Sequence, residues 1–449
     1  MNTCNPRRRM LFTLITAGLV TAACGGGNNP ANVTPVATNK SANAGATNFS
    51  ITSPATNSST PTKFSVIGAA GTNWVNIGIW DHTTNTKVGI DGAPSNGTFT
   101  IAVDMGSLTG MRTLDVIAFS VAAGQPGGTS TLLSLPLTIT AQQYFYGMNG
   151  HPVQGGIYAS RTPAQQMADL HDLGCTVYRL DCYGTTANAK TLLAFAVAGA
   201  SLGIMTLPVL AFNSALATTN ETDNYNIAFT YGANTATVLK GYCPIYEVTN
   251  EICDYVKPNT SVTGEHASDY DEARFLLVRG LIRGLIAGLR SVQPQAQIVI
   301  GGGVTIETAF FNMLWNGIEP NGTTNQATVR WNYTGWHWYE SSGNPTTAYD
   351  GTGTPLNVLA NLKQYGVPVW FTELGFVPTD SPTAQSNYCT SALTSFLGWK
   401  PASSYNIMNA CWYELYDAGG TTYGLIQGDG VTHKPCYATY KNFTASHQV

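Results

Sequence analysis

From residue 141 onward, the sequence switches eight times between a short apolar segment and a longer amphipathic one. The short segments fall at 144–149, 176–183, 204–212, 245–250, 298–301, 334–339, 367–372 and 406–413. Helix-period patterns follow at 162–173, 187–202, 233–240, 270–292, 308–316, 355–365, 384–397 and 437–443. A strand followed by a crossover helix returns the chain in the same direction, so the strands pair in parallel. Eight such units predict an α/β architecture, a (β/α)8 TIM barrel over residues 141–449. A doubly wound open sheet is the competing layout. It needs a phosphate-binding glycine turn after an early strand, and none is present.

Residues 49–140 have a different rhythm. Segments such as 63–67, 74–80, 97–103 and 114–119 alternate apolar and polar residues, with turn residues between them. That pattern predicts a small all-β sandwich preceding the barrel, and it resembles the immunoglobulin-like modules of bacterial exported proteins. Trp74 and Trp80 could present a sugar-stacking face, although aromatics in sandwiches more often pack inside. Residues 24–48 are Gly, Asn, Ala, Thr, Pro and Ser, too polar to order themselves, and read as a flexible linker.

The N-terminus carries Arg7, Arg8 and Arg9, then an apolar run ending in Thr21-Ala22-Ala23-Cys24. The run is too short to span a bilayer. It resembles a bacterial lipoprotein signal peptide over 1–23, which implies lipidation at Cys24. Residue 25 is Gly, which favours the outer membrane over the inner one. The expectation is an exported, outer-membrane-anchored lipoprotein, attached to the membrane through its lipid anchor only, and a monomer. Charged residues make up 10% of the chain and the net charge is −4, so no basic field is available for nucleic acid. Cys175, Cys182, Cys243, Cys253, Cys389, Cys411 and Cys436 remain after the leader. Their number is odd and none forms a C-x-x-C pair, so their pairing cannot be read from spacing.

In a barrel the reacting groups sit at the C-terminal ends of strands. The fourth strand ends in Tyr246-Glu247-Val248-Thr249-Asn250-Glu251 and the seventh in Trp370-Phe371-Thr372-Glu373-Leu374-Gly375. Two carboxylates on well-separated strands can face each other across the mouth. Glycoside hydrolysis needs such a pair, one to protonate the leaving oxygen and one to attack the anomeric carbon. A gap of about 5–5.5 Å allows direct attack with retention of configuration.

Asn-Glu on strand four and Thr-Glu-x-Gly on strand seven resemble the clan A glycoside hydrolases, family 39 more than family 5. The resemblance implies that Glu251 is the acid/base and Glu373 the nucleophile. It extends to Arg179 on strand two, to His337-Trp338-Tyr339 on strand six and to Trp412 on strand eight. In the clan, these positions hold an arginine near the nucleophile, a tyrosine touching it and a sugar-stacking tryptophan. Asn250 is placed to bond a sugar 2-hydroxyl, and His151 and Asp181 to line the pocket.

Duller roles exist for several of these groups. Glu247 reads as a structural partner of a neighbouring strand, and His337 could be a satisfied core histidine. Glu414 and Asp417 form a weaker alternative acidic pair. Asp269, Asp271 and Glu272 stand at a helix start, where they offset the dipole. Gly199-Ala200-Ser201-Leu202-Gly203 fits a serine-hydrolase elbow, but it closes a helix instead of opening one. No cofactor or metal motif is present. The reading is a retaining glycosidase of β-linked glycans, endo-acting on an exopolysaccharide or other polysaccharide. The alternatives are a non-catalytic carbohydrate-binding lipoprotein and a transglycosylase.

Overall fold

The computed structural model describes residues 48–449 apart from 90–91, 107, 123–124, 126, 141–142, 212–219, 260, 350–353 and 378–380. The expected signal segment, Cys24 and the linker up to residue 47 lie outside the described residues. Among the described residues, no helix is long and apolar enough to cross a membrane.

The described residues begin with eight strands. They are β1 (Phe49–Ser53), β2 (Ser59–Pro61), β3 (Lys63–Ala70), β4 (Asn76–Asp81), β5 (Thr86–Lys87), β6 (Thr98–Asp104), β7 (Gly110–Phe119) and β8 (Ser130–Thr140). One sheet has the order β1-β3-β6 and a second the order β2-β8-β7-β4-β5. Their inward residues alternate along each strand, as a half-buried strand requires. Phe64, Val66, Ile77, Ile79, Phe99, Ile101, Val116 and Leu137 meet in one cluster drawn from both sheets. Trp74 packs against Phe49 at the margin of that cluster, and Trp80 lies against Phe119 with Lys87 over its ring. Both tryptophans therefore pack with their own sheets.

The remaining strands are β9 (Tyr146–Gly150), β10 (Val177–Asp181), β11 (Met205–Leu210), β12 (Ile245–Val248), β13 (Gln297–Val304), β14 (Tyr333–Tyr339), the short pair β15 (Ala348–Tyr349) and β16 (Pro355–Leu356), β17 (Val369–Gly375) and β18 (Ile407–Trp412). All but β15 and β16 close into one parallel barrel, with β18 pairing back onto β9. The helices are α1 (Gly156–Ser160), α2 (Pro163–Asp172), α3 (Thr186–Ala200), α4 (Glu221–Leu239), α5 (Ile252–Val256), α6 (Glu272–Val292), α7 (Thr308–Asn316), α8 (Val358–Leu362), α9 (Pro382–Trp399) and α10 (Pro435–Ser446). The expected (β/α)8 barrel is present, with each expected strand in place.

Two helix expectations need correction. Helix α4 starts at Glu221, twelve residues before the predicted 233. Its first half is rich in Asn and Thr, which hides the apolar period. It forms because it packs tightly on α6. A Cβ at Gly280, Gly284 or Gly288 of α6 would come within 2.1–2.3 Å of α4 carbonyl oxygens, so only glycine allows the approach. The predicted helix at 355–365 opens instead with β16, and α8 begins at Val358, capped by Asn357.

The barrel interior is layered. Its lower part is apolar, filled by Val177, Met205, Leu207, Ile245, Val299, Trp370 and Cys411. Side chains two residues further along a strand share its face. Val177 thus leads to Arg179 and Asp181, and Ile245 leads to Glu247. The seven cysteines among the described residues are all buried thiols.

Candidate functional site

The fourth strand ends in an unusual backbone. Thr249 and Glu251 both have left-handed dihedrals, with φ of 69° and 47°. Non-glycine residues hold that region at a cost of about 1–3 kcal/mol, which surrounding contacts must offset. Here the contact is close. A Cβ at Gly302 of β13 would lie 2.8 Å from the Glu251 backbone nitrogen. The turn aims Asn250 and Glu251 over the barrel mouth.

Arg179 organises the floor of this mouth. Its guanidinium carries five N–H groups, and each meets an acceptor. Nε and Nη2 donate to Glu247 at 2.5 and 3.0 Å. Nη1 donates to Asn149 Oδ1 at 2.7 Å and to Glu373 Oε1 at 2.6 Å. The second hydrogen on Nη2 goes to Asn250 Oδ1 at 2.6 Å. Asn149 in turn donates to the carbonyls of Thr372 and Trp412. Glu247, fully buried on β12, is thus a structural partner as expected, but its arginine is on the next strand but one.

Glu373 is 7% exposed, and both its oxygens are held. Tyr339 donates to Oε2 at 2.6 Å, opposite the arginine on Oε1. Burial alone would push this carboxyl up. His337, Arg179 and Tyr339 outweigh it and hold Glu373 below the usual carboxylate range. Tyr339 moves well above the ordinary phenol value, through burial and then the Glu373 charge, so it remains a donor.

Glu251 differs in exposure and in partners. Its side chain is 37% exposed, and His337 Nδ1 lies 2.8 Å from its Oε1. The same nitrogen is 3.5 Å from Glu373 Oε2, so the imidazole stands between the two carboxylates. Burial works against a charged His337, but Glu373 and Glu251 overcome it and raise its pKa. A carboxylate oxygen of Glu251 lies within 4.8 Å of one on Glu373. That close approach fits the short class of carboxyl pairs better than the class at about 6.5–9.5 Å that leaves room for an intervening water.

Glu251, His337 and Glu373 also have the composition of a cation site. Both oxygens of Glu373 already accept from Arg179 and Tyr339, and Arg179 supplies a fixed positive charge there. The trio reads better as an electrostatic relay than as a cage.

His151 and Asp181 lie on the adjoining wall, with Nδ1 of His151 2.6 Å from Asp181 Oδ2. Gln154 and Tyr183 also bond Asp181. His151 Nε2 faces Glu414 at 3.5 Å. Burial lowers the His151 pKa, but Asp181, Glu414 and Glu373 carry it to about 9. Burial pushes Glu414 up to about 7. The alternative pair of Glu414 and Asp417 does not converge on the mouth. Glu414 is bonded by Tyr158 and Thr421, and Asp417 by Lys434 and the Gly424 amide. Asp271 caps α6, Asp269 accepts three donors from its own loop and Glu272 accepts from Asn321. None of the three reaches the mouth.

Trp412 is not where the sequence comparison put it. It is fully buried, with its ring between Tyr388 of α9 and Tyr440 of α10. Strand alternation explains this. Cys411 points into the barrel, so Trp412 points out and Tyr413 points in. Tyr413 lies 6.0 Å from Tyr339, 5.4 Å from Tyr423 and 5.4 Å from His151, ring to ring. Tyr413 and Tyr423 form the aromatic wall beside Glu373. Tyr413, Tyr423 and Asn149 went unassigned in the sequence. Counting alternate residues up from the apolar layer would have found Tyr413.

No protein-family model and no curated protein sequence matches the chain. Solved structures do. The AHE enzyme from Alicyclobacillus herbarius aligns with a TM-score of 0.52 at 13% identity, over 69% of this chain and 98% of that one. The virulence factor SghA from Agrobacterium tumefaciens aligns with a TM-score of 0.49 at 12% identity, over 68% and 97%. A family 1 β-glucosidase from Thermotoga maritima gives 0.49 at 12% identity, over 69% and 100%. At these identities the likeness, carried by the first of the three, extends to the fold: a chain whose larger part is a closed parallel barrel.

Proposed function

We propose that the chain is a retaining glycoside hydrolase of clan A type, acting on β-linked glycans by double displacement. One observation carries the reading: two carboxylates within 4.8 Å of each other, one buried and ion-paired, the other open to solvent. Glu373 attacks the anomeric carbon as the ionised group. Glu251 gives its proton to the departing glycosidic oxygen. The glycosyl-enzyme ester is then opened by a water that Glu251 deprotonates, which restores both groups. Arg179 and Tyr339 keep Glu373 ionised and aimed. The Asn250 carbonyl is taken by Arg179. Its NH2 is therefore left to donate toward the sugar 2-hydroxyl, a bond that strengthens in the transition state. Tyr413 and Tyr423 offer the apolar wall that Trp412 cannot.

The substrate is a polysaccharide, cut within the chain, and an exopolysaccharide suits the family 39 likeness. The Thr21-Ala22-Ala23-Cys24 segment supports export and a lipid anchor in the outer membrane. The two N-terminal sheets act as an immunoglobulin-like spacer or glycan holder.

The test uses purified polysaccharides and aryl β-glycosides. Reducing ends should appear, and NMR at early times should show a product with the anomeric configuration of the substrate. Glu251→Gln should lower kcat/KM on unactivated glycans by about 10²–10⁴-fold and spare the first, glycosylation step of substrates whose leaving group needs no proton. Inverted product, or full activity of Glu251→Gln on unactivated glycans, refutes the mechanism. Binding without turnover would mean a glycan-binding protein, and products longer than the substrate a transglycosylase.

A further inference from the structure

We propose that Lys257 and Glu307, a buried ion pair outside the mouth, are positioning residues for the acid/base Glu251; this rests on the glycosidase reading above. Helix α5 begins directly after Glu251 and runs only from Ile252 to Val256. A helix this short has no stability of its own, so its direction comes from what holds its ends. At the near end the Glu251 backbone lies against Gly302 of β13. Two residues on, Cys253 Sγ is 3.8 Å from the Gly302 carbonyl.

The far end is held by charge. Lys257 closes α5 with a side chain 6% exposed, and its ammonium lies 2.5 Å from Glu307 Oε1 and 3.0 Å from Asp254 Oδ1. Glu307 is 1% exposed and stands between β13 and α7. The following loop encloses the pair. Gly264, at φ of 84°, is so close that a Cβ there would fall 2.7 Å from Glu307 Cγ. The Gly264 carbonyl accepts from Tyr270 Oη and the Ala309 amide. The Lys257 carbonyl accepts from Arg274. These ties join the segment bearing Glu251 to the end of β13.

Apolar residues of similar volume often serve stability as well as a buried ion pair, or better. What the charges add is direction. Lys257 is held between Glu307 and Asp254, and these two contacts tie the end of α5 to the segment between β13 and α7. Glu251 starts that helix, so a small rotation of α5 moves its carboxyl relative to His337 and the glycosidic oxygen.

The experiment compares wild type, Lys257→Met, Glu307→Gln and the volume-keeping double variant Lys257→Met with Glu307→Leu. Each is assayed on two aryl glycosides of one sugar that wild type hydrolyses, one with a phenol and one with a dinitrophenol leaving group. Thermal unfolding is followed in parallel. The expected result is a fall in kcat/KM, which reports the glycosylation step, of about 10²-fold on the phenyl glycoside, with little change in kcat/KM on the dinitrophenyl glycoside. The double variant should recover thermal stability but not phenyl glycoside activity. Equal losses of kcat/KM on both substrates, no loss on either, or restored activity in the double variant would overturn the proposal. So would failure of all three variants to fold, which would assign the pair to stability. Absence of wild-type hydrolysis on every glycoside is a different result, and it defeats the glycosidase reading itself.

Discussion

The two mouth carboxylates are held in opposite ways. Glu373 is buried on a barrel strand, with a guanidinium on one oxygen and a phenol on the other. Glu251 stands on a left-handed turn, more than a third exposed, with an imidazole as its hydrogen-bond partner. A nucleophile has to be ionised and aimed before the substrate arrives, and fixed partners do this at no cost during the reaction. An acid that must become a base has to exchange protons with solvent, which enclosure would prevent. The contrast is one of rigidity against access.

The strongest way to break this contrast is Glu373→Gln. It keeps the hydrogen-bond geometry and removes the charge. Turnover on every substrate should fall on the order of 10⁴-fold or more, whatever the leaving group, as single-turnover assays would show. A loss confined to poor leaving groups would reverse the two roles.

A second test acts on the partner of Glu373. Arg179→Lys replaces five donors in a fixed fork with three on a flexible stem. At least two of the five acceptors, drawn from Glu247, Asn149, Asn250 and Glu373, would lose their donor. Each buried acceptor left bare costs about 1–3 kcal/mol. Thermal denaturation should shift down accordingly, and kcat should fall equally for good and poor leaving groups. An effect that grew with leaving-group pKa would mean that Arg179 serves Glu251 instead.

The smallest effect sharpens the same distinction through pH. His151 sits on the buried side, near Glu373, with its pKa raised from 6.5 to about 9. A raised value means that the folded state favours the imidazolium. Its stabilisation is complete below pH 6.5 and is lost as pH rises through 9. The whole difference amounts to about 3 kcal/mol. Unfolding temperatures of wild type should therefore decline between pH 7 and 10, and His151→Gln should flatten that decline. An unchanged slope in the variant would show that other groups carry it.

The barrel was legible because its signal is periodic. Eight apolar segments with helices between them admit few topologies, and carboxylates at the ends of strands four and seven mark the candidate site. Glu251, Glu373, Arg179, Asn250, His337 and Tyr339 do meet there. What the sequence hid depends on faces and depths. A residue's face on a strand follows from counting along it, and matching a motif by type put Trp412 on the wrong side of β18. Helix α4 was half missed because its glycine-mediated contact with α6, not its own composition, makes it a helix. Lys257 and Glu307 are fifty residues apart and bear no motif. Only their burial brings them to notice.

Asn149 has one further consequence. It lies on the first barrel strand, yet it reaches the backbone of the seventh and eighth strands while its oxygen holds Arg179. The seam where the barrel closes is therefore part of the proposed reactive centre. A nascent chain that has emerged as far as residue 400 already contains both glutamates, but not the Trp412 carbonyl or the Tyr413 wall. Under the proposed mechanism competence comes with the final strand, so an unfinished polypeptide would be chemically silent.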